Sequence, residues 1–226
     1  MQDHHGRVVY LGDSHYPKNF ACMEQPPIGM TYFGNECWVQ KPGVAVVGSR
    51  QPHHLTIEWL NMELSLALQT TDYYTISGGA RGVDQAVHLV SLRQNTATVS
   101  FMPSGLSCLY PKSFQYWAHE ITEQGGAIVS QFSPFAPMYK SHFHARNRLI
   151  AGLCDFLIVA EARCRSGSLL TAKLALEMHK NIGVVPCSPM LTTGRGGLDL
   201  IFDGAQMLRD HLDVTTWVKP GITFDS

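Results

Sequence analysis

The chain has 226 residues, 45% of them hydrophobic and 15% charged, with a formal net charge of -1. That is enough apolar material for one domain with its own core. It excludes a globally basic protein, so a polyanion has to be held by a local cluster of Lys and Arg rather than by the average field. No window approaches the roughly 18 apolar residues needed to span a bilayer, and the N-terminus MQDHHGRVVYLGDSHYP lacks a charged-then-apolar signal peptide. A cytoplasmic protein with no membrane contact is expected.

The first segment, containing YPKNFACMEQPPIGMTYFGNECW, is rich in Pro and aromatics and shows no clear period. Residues 1–42 are expected to form an extended arm lying on the domain, because they are too few to build a core of their own. From residue 43 to 211 short apolar runs alternate with segments of helical period. Strands are expected at VAVVG (from Val44), YYTIS (Tyr73), ATVSFM (Ala97), AIVSQF (Ala127), FLIVAEA (Phe156) and IGVVP (Ile182). Among the helices, LTIEWLNMELSLALQ offers Thr56 as an N-cap, and VDQAVHLVSLRQ, SFQYWAHEITEQGG and SLLTAKLALEMHK carry apolar residues at i, i+3 and i+4. Residues 212–226 are expected as a short tail. Regular alternation predicts an α/β, Rossmann-like, doubly wound fold, a mostly parallel sheet with helices on both faces. Its strand-to-helix loops gather at the carboxyl ends of the strands, where function is to be sought.

Five such loops carry related chemistry. The first, GSRQPHH, has Gly48 followed by Ser49 and Arg50 instead of the three glycines of a dinucleotide fingerprint; its N–H groups, hydroxyl and guanidinium suit a phosphate. In the second, SGGARGVD, Gly78 and Gly79 let the backbone approach an anion, the next helix aims its dipole there, and Arg81 adds a full charge. An ordinary turn needing positive φ fits the same letters. The third, PSGLSCLYPKSF, supplies Gly105, Tyr110 and Lys112, although Pro111 also suits a plain helix start.

The fourth, SPFAPMYKSHFHARNRLIAG, places Lys140, Phe143, Arg146 and Arg148 within nine residues, with Tyr139 and Asn147 beside them. Cations next to an aromatic platform suit single-stranded nucleic acid. With a helix expected from about Asn147, Arg146 and Arg148 point different ways: one toward ligand, the other toward an internal carboxylate such as Glu161 or Asp155. In the fifth, EARCRSGSLLTAKLA, Ser166, Gly167, Ser168 and Thr171 stand at a helix start, where hydroxyls either cap the helix or hold a phosphate.

Other candidates read as structural. The six cysteines have no metal-type spacing and are expected as buried thiols. The pairs His53, His54 and His142, His144 lack a carboxylate or Cys at ligand spacing, so no metal site or cofactor is expected. Trp38, Trp59 and Trp117 read as core packing, and no Ser-His-Asp order or nucleophile elbow is present.

Taken together, VAVVGSR, ISGGARGVDQAVH, SGLSCLYP, HFHARNRLIAGL, VAEARCRSGSLLTAKLALE and LIFDGA resemble the DNA-processing protein A (DprA, or Smf) family, from about residue 16 to 208. The resemblance implies a non-enzymatic protein that binds incoming single-stranded DNA in natural transformation, shields it and helps load a RecA-type recombinase, commonly as a homodimer. Carried over by position, it implies DNA binding by Ser49, Arg50, Gly78, Gly79, Arg81, Lys140, Phe143, Arg146, Asn147 and Arg148. Ser166, Gly167, Ser168 and Thr171 would complete the pocket. Gly79 stands where the family usually has Leu, and Ser107, Cys187 and Leu198 replace its usual Asp, Gly and Asn. With the sequence running only a short way past Leu208, the winged-helix-like and N-terminal helical domains that many relatives add are not expected here. The alternatives are a nucleotide-binding sensor and a phosphoribohydrolase-like enzyme of the same superfamily. The latter type uses a PGGxGTxxE loop, whereas here Glu177 lies well down the helix of RSGSLLTAKLALE.

Overall fold

The computed structural model describes residues 6–219. In chain order its elements are β1 (Arg7–Tyr10), α1 (Lys18–Ala21), β2 (Gly29–Gly34), β3 (Gly43–Gly48), α2 (His54–Trp59), α3 (Ser65–Thr70), β4 (Tyr74–Gly78) and α4 (Val83–Arg93). There follow β5 (Thr98–Phe101), α5 (Gln115–Glu123), β6 (Ala127–Ser130), α6 (Lys140–Leu153), β7 (Phe156–Glu161), α7 (Gly167–Glu177), β8 (Asn181–Val184), α8 (Arg195–Phe202), β9 (Gln206–Met207) and α9 (His211–Val218). A π-turn over Leu60–Leu64 joins α2 to α3.

All six apolar runs form strands of one nine-stranded sheet, ordered β1-β2-β6-β5-β4-β3-β7-β8-β9. Pairing is parallel from β6 through β9 and antiparallel for β1 with β2 and β2 with β6. Runs of this kind are continuous because a parallel strand is buried on both faces. Along β3, Val44 and Val46 pack on one side with Leu60, Leu64, Val83 and Val87. Ala45 and Val47 pack on the other with Leu149, Ile150 and Ala172. Helices therefore cover both faces, as the Rossmann-like reading requires.

The segment before residue 43 contributes two strands where an extended arm was expected. In β2 the side chains alternate, Met30 and Tyr32 entering the core. Tyr32 registers opposite Val129 of β6, and Trp38 closes edge-on against its ring at 5.4 Å. Residues 1–5 and 220–226 lie outside the described residues, and with them the ends of the expected arm and tail. The described start of the tail is helical: α9 packs on α3, and the Tyr73 hydroxyl donates to the Val218 carbonyl at 2.8 Å.

Two local expectations are corrected. The cap of α2 is His53, whose ring nitrogen accepts from the Leu55 N–H at 3.3 Å, while Thr56 lies inside the helix and donates its hydroxyl to Glu161 at 2.6 Å. Of the cysteines, Cys154 is buried, but Cys22, Cys108 and Cys164 are exposed. Cys22 is exposed although Met23 beside it is buried, and Cys164 stands between the exposed Arg163 and Arg165.

Candidate nucleic-acid interface

The chain runs from β3 outward to β4 and later returns to lay β7 on the opposite side of β3. In such a sheet this reversal opens a crevice at the strand carboxyl ends. Here it is a cavity of about 1020 Å³, walled by the loops after β3, β4 and β7 and by one face of α6. The first two loops are locked together backbone to backbone. Val83 N–H donates to the Ser49 carbonyl at 3.1 Å. Gly82 holds φ at 86°, and a Cβ there would meet the Ser49 carbonyl oxygen at 2.4 Å, so only glycine fits.

The helix presenting the cationic wall begins at Lys140, seven residues before the expected Asn147. Its start carries no side-chain cap. It is fixed instead by His142, which stacks on Phe132 at 3.8 Å and hydrogen-bonds the Pro103 carbonyl at 3.0 Å. Phe143, Arg146, Asn147 and Ile150 consequently share the face that lines the cavity. The Arg50 guanidinium lies 4.9 Å from the Phe143 ring centre and that of Arg146 lies 6.0 Å away, while Tyr110 meets the ring edge-on at 6.2 Å. Phe143 thus joins two cations from different elements through its π face.

Arg146 is the structural arginine, and its partner is neither Glu161 nor Asp155. It pairs with Asp84 at 3.4 Å, both side chains buried. Asp155 instead accepts from the Gly43 N–H at 2.8 Å and from Asn19 at 3.1 Å. Glu161 accepts from the His53 N–H and from Thr56. Burial pushes the Asp84 carboxyl up from its ordinary range, against the pull of the Arg146 guanidinium. Burial also lowers Arg146, against the pull of Asp84. Gly78 makes room for the pair, since a Cβ there would lie 1.2 Å from the Arg146 Nη1. The Arg146 Nε is buried without a partner in the cavity wall, so the floor retains an unsatisfied cationic donor.

Beneath this floor is a polar relay that sequence reasoning missed. His88 is fully buried, with Nε2 2.7 Å from the Gly78 carbonyl and Nδ1 2.8 Å from the Thr98 hydroxyl. A carbonyl only accepts, so Nε2 carries the proton and Nδ1 accepts from Thr98. Thr75 donates to Thr98 at 2.7 Å and also meets Ser91 at 2.6 Å. The neutral imidazole anchors the end of β4.

Of the residues carried over by resemblance, Ser49, Arg50, Gly79, Arg81, Phe143, Arg146, Asn147, Ser166, Gly167, Ser168 and Thr171 line the cavity. Gly78 lies behind it, under Arg146. Lys140 and Arg148 stand outside the lining, on a stripe of α6 that also carries His144 at i+4 spacing. Some hydroxyls have local duties: Ser166 caps α7 through the Leu169 N–H at 3.3 Å, and Thr171 donates to the Gly167 carbonyl at 3.1 Å. Their backbone and the first turn of α7 still face the cavity, with the partial positive charge of a helix N-terminus. Asp84, Gln51 and Arg163 also line it. Among the described residues no three His, Cys, Asp or Glu side chains converge as a metal site would require.

The family model of DNA recombination-mediator protein A matches residues 7–219. The chain belongs to that family. It is 36% identical over 221 residues to Protein Smf of Escherichia coli, covering 97% of this chain and 58% of that protein. It is 34% identical over 200 residues to Protein Smf of Synechocystis, covering 87% and 50%. To DNA processing protein DprA of Streptococcus pneumoniae it is 33% identical over 202 residues, covering 89% and 71%. The chain thus spans only 50% to 71% of the length of these relatives.

Two solved members of the family superpose closely. The X-ray structure of the S. pneumoniae DprA gives a TM-score of 0.86 at 30% identity, covering 96% of this chain and 75% of that one. DprA of Helicobacter pylori, described for a single-stranded DNA binding mode, gives 0.81 at 27% identity, covering 94% and 95%. The molybdenum cofactor carrier protein of Chlamydomonas reinhardtii, at 16% identity and a TM-score of 0.53, shares the fold alone.

Proposed function

We propose that the chain binds single-stranded DNA in the cavity, protects incoming DNA in natural transformation and helps load a RecA-type recombinase, acting in the cytoplasm as a homodimer. The observation that carries the DNA-binding step is the Arg50–Phe143–Arg146 cluster at the switch point. In a chain of net charge -1, this wall and the exposed Arg81, Lys140 and Arg163 around it concentrate positive charge at one sheet edge. Family membership and the single-stranded DNA mode described for the H. pylori relative support the same reading. Among the described residues no helix is long and apolar enough to cross a membrane.

Binding to a single strand is expected to exceed binding to duplex of matched length, because stacking contributes about 1–3 kcal/mol per base only when bases are unpaired. On single strands log K should fall against log salt by about 0.7 for each neutralised phosphate. Arg50→Ala and Lys140→Ala should each weaken binding to all sequences and flatten the slope by about 0.7. Phe143→Ala should lose affinity with the slope retained, since no charge is removed. Fluorescence anisotropy across a salt series reads all three variants. Folded Arg50→Ala and Lys140→Ala proteins with the parent's affinity and slope would end the proposal.

The reading also assigns no hydrolase activity. Glu177 is exposed at the far end of α7, paired with Lys173 at 3.9 Å. At about 1.5 Å per residue, it lies roughly 15 Å from the turn that faces the cavity. Incubation with nucleoside monophosphates should release no free base. Release that disappears in Glu177→Ala would establish the phosphoribohydrolase-like alternative instead.

A further inference from the structure

A smaller hollow of about 440 Å³ opens beside the main cavity, lined by Arg163, Cys164, Pro189, Thr192 and Arg195. Arg163 lines both hollows, so the two adjoin along one side chain. It comes from the turn between β7 and α7, and Arg195 from the first residue of α8. Two separate strand-end connections therefore converge on one cationic patch.

Both guanidiniums are available to a ligand. Arg163 is exposed, and among the described residues its side chain has no hydrogen-bond or ion-pair partner. The Arg195 side chain is 61% exposed and reaches Asp199 one turn along the same helix at 3.8 Å, an exposed pair that contributes little. Asp199 also accepts from the Cys164 thiol at 3.6 Å, so one carboxylate borders a patch with two fixed positive charges. The turn presenting Arg163 is strained, since Arg165 sits at a φ of 58°, a region that residues with side chains rarely adopt. The start of α8, at Gly194, has no side-chain cap, and of its first turn the Gly197 N–H is taken by the Ala162 carbonyl at 3.3 Å.

We propose that this hollow is a second phosphate subsite, which receives the backbone of a single strand as it leaves the main cavity past Arg163. The inference rests on the single-stranded DNA reading of the main cavity. Two guanidinium forks and the Thr192 hydroxyl suit phosphate oxygens. Among these lining side chains there is no aromatic face on which a base would stack, so the subsite tracks the backbone and is blind to sequence.

The test separates strand lengths. Single-strand modules occupy about 4–16 nucleotides, so the full chain is titrated with dT4 and dT16 over a salt series. Arg195→Gln should leave dT4 binding at the parental value, because Arg195 does not line the main cavity. On dT16 it should weaken binding and flatten the salt slope by about 0.7, so that a fourfold rise in salt costs the variant about 2.6-fold less affinity than the parent. Asp199→Asn removes the competing carboxylate and should tighten dT16, a gain that unfolding does not produce. If Arg195→Gln leaves the dT16 slope unchanged while Arg50→Ala flattens it, the second subsite is overturned and the main cavity stands. If neither substitution changes the slope, the main-cavity reading has failed as well.

Discussion

Asp84→Ala is expected to destabilise the protein by about 3–5 kcal/mol, because it strands a buried guanidinium. The Arg146 and Asp84 side chains are only 5% and 10% exposed. The guanidinium does not shed its proton at any accessible pH. The reverse substitution is milder. In Arg146→Met the surviving carboxyl, already pushed upward by burial, takes up a proton and becomes a neutral buried acid. Replacing both residues, Asp84→Ala with Arg146→Met, should recover much of the loss, since an apolar pair avoids the desolvation of two charges. The double variant should nevertheless bind single-stranded DNA poorly, having lost the donor in the cavity wall. Urea midpoints of the three variants and anisotropy of the double variant check the argument. An Asp84→Ala protein as stable as the parent would show that Arg146 is solvated or paired elsewhere.

The same pair marks where sequence reasoning stops. Parallel strands are legible because burial on both faces writes them as unbroken apolar runs, and their order of alternation with helices implies a rim of strand-end loops. That logic brings Ser49, Arg50, Arg81 and the Ser166 turn to one cavity from positions far apart in the chain. Strand β2 was hidden because its alternation is set among prolines and glycines. The start of α6 was hidden because it is held by His142 against Pro103 and Phe132 instead of by a capping side chain. Nothing local to Arg146 points to Asp84, 62 residues away. Glu161 and Asp155 were the nearer carboxylates, but each is already engaged in tying a neighbouring element to the sheet.

Acid is expected to destabilise the protein through His88. Burial lowers this imidazole from 6.5 to about 4, with the Arg146 charge adding to the effect and the Gly78 carbonyl opposing it. A base whose folded-state value is depressed contributes full stability above its unfolded value and loses it as pH falls toward the folded one. The window therefore runs from 6.5 down to about 4. At about 1.36 kcal/mol per pH unit, the full span amounts to roughly 3 kcal/mol, of which about 2 kcal/mol is gone by pH 5. Asp84 acts in the opposite sense, since burial raises its carboxyl and a raised carboxyl favours the fold in acid. Protonation would place a donor on Nδ1, which now accepts from Thr98, and a second positive charge near Arg146. The Nε2–H would still donate to the Gly78 carbonyl, but the Thr98 bond to Nδ1 would be lost and an uncompensated buried charge would loosen the end of β4 from which the Gly79–Arg81 turn leaves. Single-strand binding should accordingly fall with stability between pH 6.5 and pH 5. His88→Gln removes the titration, so its urea midpoint, although lower at pH 7, should change less between pH 7 and pH 5 than that of the parent. Equal pH dependence in the two proteins would remove His88 as the cause.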